Sequence, residues 1–101
     1  MNREQKRVPY LIEAILEFSS GRREARISDL SLGGCYVDSI APVAQGETIA
    51  FDIPVAEGNL LHLVGTVAHV FESNGFGVKF AELSQADTMQ ILELIKASEE
   101  H

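Results

Sequence analysis

At 101 residues the chain has the length of one domain, enough for a modest hydrophobic core and too short for a catalytic domain joined to a sensor. Apolar residues make up 46% of it, and no apolar run approaches the roughly 20 residues a membrane helix needs, so no transmembrane helix is expected. The net charge of −7 argues against a long nucleic acid, DNA or RNA, because polyanions are held by broad basic surfaces.

That charge is unevenly spread. Six of the eight Lys and Arg residues fall in the first 26 positions, whereas residues 27–101 hold only Lys79 and Lys96 against eleven acids. A small anion at the basic end is compatible with this; a polyanion is not. The N-terminal stretch, with Glu13 and Glu17 interrupting its apolar positions, does not read as a signal peptide. A single cysteine, Cys35, rules out an internal disulfide framework, and a cytoplasmic location is expected.

In chain order, residues 1–9 predict an extended arm, since Pro9 pushes the residue before it away from helical geometry. The domain proper is expected over 10–98. Tyr10, Ile12, Ala14, Leu16 and Phe18 share one parity and Glu13 and Glu17 the other, the period of a half-buried strand. Ser19 to Gly21 supplies a turn into a second strand, where Ala25 and Ile27 alternate with polar residues. Cys35 to Ser39 predicts a third strand and Thr48 to Val55 a fourth, with Pro54 at its end or at an edge. Leu60 to Phe71 predicts a long fifth strand with a bend or bulge at Gly65. Ser73-Asn74-Gly75 is a hairpin signal into a sixth strand, Phe76 to Phe80.

After Leu83 the period changes to that of a helix. Ser84 with Asp87 three residues on resembles a capping box. Ala86, Met89, Leu92 and Ile95, flanked by Ile91 and Leu94, predict a wide apolar face ending near Ala97. That face either closes the barrel or pairs two chains. The whole pattern predicts a mainly β fold, a six-stranded antiparallel barrel closed by one C-terminal helix.

Two segments carry candidate chemistry. Arg3 and Arg7 form an RxxxR pair, and the planar guanidinium fork suits both phosphate oxygens and the O6 and N7 acceptors of guanine; two such arginines can equally be a solvated tail. Asp29 to Gly34 reads DLSLGG. On a continuous strand Asp29 and Ser31 would project to the same side, where the carboxylate accepts from guanine and the hydroxyl bonds a phosphate, while Gly33 and Gly34 admit a ligand to the backbone. The alternative is a serine turn before a glycine bend, which needs no ligand.

Together the segments resemble the PilZ domain family, bacterial receptors of cyclic di-GMP, whose RxxxR and (D/N)xSxxG motifs are met by Arg3 and Arg7 and by Asp29, Ser31 and Gly34. Val8-Pro9, Gly65-Thr66-Val67 and the run Gly75 to Phe80 extend the resemblance over nearly the whole chain. It implies a PilZ-like barrel and a stand-alone receptor for cyclic di-GMP, not an enzyme, serving pathways such as motility and surface attachment. The arm would fold over the barrel with Arg3 and Arg7 clamping the nucleotide against Asp29, Ser31, Gly33 and Gly34. Val8 would lie at the edge of the site, and Lys6 is either a further charge near the phosphates or a solvated side chain. Asn2 before the motif implies one cyclic di-GMP per site instead of a stacked pair. A receptor of this kind acts through a downstream protein; an adaptor of the same fold that takes no nucleotide is the alternative.

The remaining candidates are ordinary. His62 and His69, seven apart on a regular strand, are expected on opposite faces, and no ligand spacing accompanies them, so neither a metal nor a cofactor is expected. Cys35 has no base partner in the pattern and reads as a small buried hydrophobe. No constellation of nucleophile, base and orienting group is present.

Overall fold

The computed structural model describes residues 8–18, 21–40, 42–71 and 74–99. Six strands, β1 (Val8–Phe18), β2 (Gly21–Leu30), β3 (Gly34–Asp38), β4 (Thr48–Pro54), β5 (Leu60–Phe71) and β6 (Gly75–Phe80), precede one helix, α1 (Gln85–Glu99). The strands close a barrel in the order β1-β2-β3-β6-β5-β4, every neighbour antiparallel.

The period-two patterns set which side faces in. Ala14, Leu16 and Phe18 of β1, Ile49, Phe51 and Ile53 of β4, and Leu61, Leu63 and Val67 of β5 all point into one core. Edge-to-face contacts of Phe18 with Phe76 and of Phe51 with Phe80, each with centroids 6.1 Å apart, fill its centre. Pro54 is the last residue of β4, where its missing N–H costs no ladder bond.

Gly65 is not the bulge its sequence context predicts. Register runs through it on both flanks, Ile49 opposite it on β4 and Phe80 on β6. The glycine serves close approach instead: a Cβ there would lie 2.5 Å from Cγ1 of Val78 and 2.7 Å from the carbonyl oxygen of Lys79. The irregularity of β5 falls between Val67 and His69. It resets the strand's parity, so His62 and His69 are both exposed instead of facing opposite ways.

Ser84 caps α1 as its pattern predicts, its Oγ accepting from the N–H of Asp87 at 3.0 Å. The buried face of the helix differs from the predicted one. Ile91 is fully buried and Leu94 and Ile95 partly so, packing against β1 and β5, whereas Met89 is 54% and Leu92 42% exposed. Counting apolar residues at i, i+3 and i+6 selected the stripe beside the one that docks. The docked stripe is Asp87, Thr88, Ile91, Leu94, Ile95 and Ser98, the i, i+3, i+4, i+7 set centred on Ile91. Ile91 and Leu94 therefore close the barrel, and the helix runs to Glu99, past the expected end at Ala97.

Candidate functional site

The DLSLGG segment straddles the end of β2. Register shifts between Ile27 and Asp29, and the strand stops at Leu30. Leu30 and Ser31 are therefore both buried, and Asp29 and Ser31 do not share a face as strand alternation would require. Asp29 is half-buried, opposite Pro9 of β1 and Tyr36 of β3.

Ser31 faces inward, at 1% exposure, and its hydroxyl is occupied. Oγ accepts from the N–H groups of Gly33 and Gly34, each at 3.2 Å, and donates to the Gly34 carbonyl at 3.2 Å. The Ser31 N–H adds a 2.8 Å bond to the same carbonyl. This is the serine turn that the sequence also allowed, with the hydroxyl engaged by backbone groups. The carbonyl of Gly33 accepts from the Phe80 N–H at 2.9 Å, fastening the turn to the end of β6. Gly34 admits no side chain, because its Cβ would sit 1.9 Å from the Val78 carbonyl oxygen.

Backbone register sets the start of β1 beside the motif. Val8 pairs with Leu30 and Pro9 with Asp29, so the chain enters β1 directly alongside the turn. Arg3, Lys6 and Arg7 lie outside the described residues.

Three neighbours, Tyr36, Gly77 and His69, escaped the sequence reading of the site because long-range pairing supplies them. Asp29, Tyr36, Gly77 and His69 form one outward-facing row across β2, β3, β6 and β5. Gly77 leaves a gap in that row, since a Cβ there would meet nothing within 4 Å. Partial burial, then the carboxylates of Asp38 and Asp29, raise the Tyr36 hydroxyl above its ordinary value of 10.0, and it stays neutral at physiological pH. The period-two alternation of β3 marked Tyr36 as outward, but only the β3–β6 pairing brings Gly77 and His69 beside it.

His62 sits elsewhere on the wall, Nδ1 2.6 Å from Oδ1 of Asp52, whose other oxygen lies 3.7 Å from Nη2 of Arg22. Among the described residues no group of three His, Cys, Asp or Glu side chains is placed to hold a metal ion. Cys35 is fully buried. Among the same residues no helix is long and apolar enough to cross a membrane.

A closed six-stranded antiparallel barrel, a capping helix and a Ser-Gly turn beside the first strand define a small β-barrel domain closed by one helix. The chain belongs to the PilZ domain family, whose model matches residues 1–97. Among solved structures, the PilZ domain of YcgR from Escherichia coli with c-di-GMP superposes with a TM-score of 0.79 at 16% identity, covering 99% of this chain and 93% of that one. The PilZ domain of CeSA from a cellulose-synthesizing bacterium gives 0.70 at 19% identity, over 95% of this chain and 99% of the other. Bacillus subtilis MotI/DgrA, an inhibitor of motility, gives 0.80 at 14% identity, over 99% of this chain and 52% of that protein. At these identities the likeness is one of fold. No curated protein matches the sequence.

Proposed function

We propose that this chain is a receptor for cyclic di-GMP that relays the signal to a protein partner and catalyses no reaction itself. The observation that carries the reading is the pairing of Val8 with Leu30 and Pro9 with Asp29, which sets the start of β1 beside the motif turn and supports a site shared with the arginines that precede it in sequence. In this reading the Asp29 carboxylate accepts from the guanine N1 and N2 donors, and Arg3 and Arg7 grip phosphate and base edge with bidentate, charge-assisted bonds. The backbone around Gly33 and Gly34 forms the floor, and Ser31 supports it from beneath. Val8 borders the site, and Lys6 adds positive charge to it. Residues 1–9 act as the clamp and 10–98 as the rigid body. Ordering the clamp costs conformational entropy, which the charged contacts must exceed.

YcgR of E. coli and PlzA of Borreliella burgdorferi are each described in complex with c-di-GMP, which supports the choice of ligand. Titration calorimetry with cyclic di-GMP tests the reading, with one nucleotide per chain expected. Arg7→Ala and Asp29→Ala should each weaken binding more than tenfold, a loss of about 1.4 kcal/mol or more. Absence of heat at micromolar protein and ligand would leave the nucleotide-free adaptor in its place.

A further inference from the structure

The far end of β3 carries a second feature. Strand β3 runs from Gly34 at the motif turn to Asp38, four residues and about 13 Å away. There the outer wall holds a concavity of about 320 Å³ lined by Tyr36, Asp38, Phe71 and Asn74. A water's share of liquid volume is about 30 Å³, so the space admits a side chain.

Its walls are aromatic and its charge is negative. The rings of Tyr36 and Phe71 stand 5.8 Å apart at 50°, and Phe71 is 50% exposed, a large apolar surface to leave in water. Gly75 lies between Asp38 and Phe71 in the cross-strand row, and a Cβ there would sit 2.1 Å from the Val37 carbonyl oxygen and 3.0 Å from the Tyr36 hydroxyl oxygen, so only glycine fits under the ring. Asp38 is exposed and makes no ion pair among the described residues. Its cross-strand neighbour Arg26 turns instead to Glu13, with Nε 3.8 Å from Oε2. The carboxylates of Asp38 and Asp29 both act on the Tyr36 hydroxyl, behind the effect of its partial burial, so the negative potential extends over the aromatic wall.

We propose that this notch receives an arginine side chain of a partner protein, its guanidinium laid against Tyr36 and Phe71 and hydrogen-bonded to the Asp38 carboxylate. Charge complementarity selects the cation, in a protein of net charge −7 whose residues 27–101 carry two basic residues and eleven acids. The aromatic wall selects arginine over lysine, because a planar guanidinium stacks on a ring while its edge bonds a carboxylate. The amide oxygen of Asn74 offers a further acceptor. The notch shares Tyr36 with the row beside Asp29, and Asp38, Phe71 and Asn74 distinguish it from the motif turn.

NMR of the isotope-labelled chain at low ionic strength tests this, with the blocked tripeptide Gly-Arg-Gly as probe and its citrulline counterpart and guanosine as controls. The arginine peptide should give saturable shifts at the amides of Asp38, Phe71 and Asn74. Loss of one exposed ionic or cation–π contact should weaken that binding about fivefold in Asp38→Asn and in Phe71→Ala, and the citrulline peptide should be weaker by as much. Both side chains are exposed, so both variants should keep the parent's spectral dispersion. An equal response to citrulline, a stronger response of the same amides to guanosine, an unsaturable response, or full affinity in Asp38→Asn would each overturn the proposal.

Discussion

Replacing Ser31 with alanine separates two roles for the motif serine. The hydroxyl takes the N–H groups of Gly33 and Gly34, one part-buried and one buried, and no solvent reaches the side chain. Truncation strands both donors. A buried donor left unpaired costs about 1–3 kcal/mol, and the part-buried Gly33 amide recovers some of its share from water, so the sum is about 2–4 kcal/mol. In a domain of this size 1 kcal/mol moves Tm by about 4–8 °C, which puts the expected fall at roughly 10–25 °C. Thermal unfolding followed by circular dichroism measures it, and urea unfolding should show a lower midpoint at unchanged slope. Below the new Tm, the folded fraction should still bind cyclic di-GMP within a few-fold of the parent. The opposite pattern, an unmoved Tm with binding abolished, would refute the reasoning and make the hydroxyl a ligand contact after all.

Gly34→Ala should destabilise by about 3 kcal/mol, the upper part of the range for overpacking, because the new Cβ meets the Val78 carbonyl oxygen and forces β3 from β6; urea midpoints check it. In Arg7→Ala, by contrast, the melting temperature of the free protein should not move while affinity falls, and a variant that unfolds would make Arg7 structural. The Tyr36 hydroxyl, raised in the folded state, binds its proton more tightly there than in the unfolded chain. Its contribution to stability is therefore intact below the unfolded value near 10 and is lost as pH climbs through the folded one. Urea midpoints measured across that alkaline range should decline less steeply in Tyr36→Phe than in the parent, and parallel curves would contradict the raised value.

Strand existence was legible because a barrel wall separates inside from outside at every residue, and β4 throughout, β1 from Ile12 to Phe18 and β5 as far as Val67 carry that alternation. Parity was not legible wherever a register shift intervened. The shift between Val67 and His69 reversed the expected facing of His69, the one between Ile27 and Asp29 turned Asp29 outward and Leu30 inward, and the end of the strand at Leu30 parted Ser31 from the face of Asp29. Such shifts are set by the neighbouring strand, so a strand read alone gives no sign of them. The helix failed in a related way. Its apolar residues cover more than one stripe, and the shape of the barrel end chose Ile91 over Met89 and Leu92. At the candidate site the motif spacing was visible, while the adjacency of Tyr36, Gly77 and His69 arises only from the β3–β6 and β5–β6 pairings.

The serine turn also bears on how the motif itself should be weighed. Ser31 holds two amides and Gly34 lets β3 lie against β6, so both residues stabilise the barrel whether or not a nucleotide ever arrives. A descendant protein that abandoned the ligand would be under pressure to keep them. Their presence in a sequence therefore testifies to the architecture first. In the proposed reading, what separates a working receptor from a retired one is Arg3 and Arg7, the residues whose part is to hold the ligand.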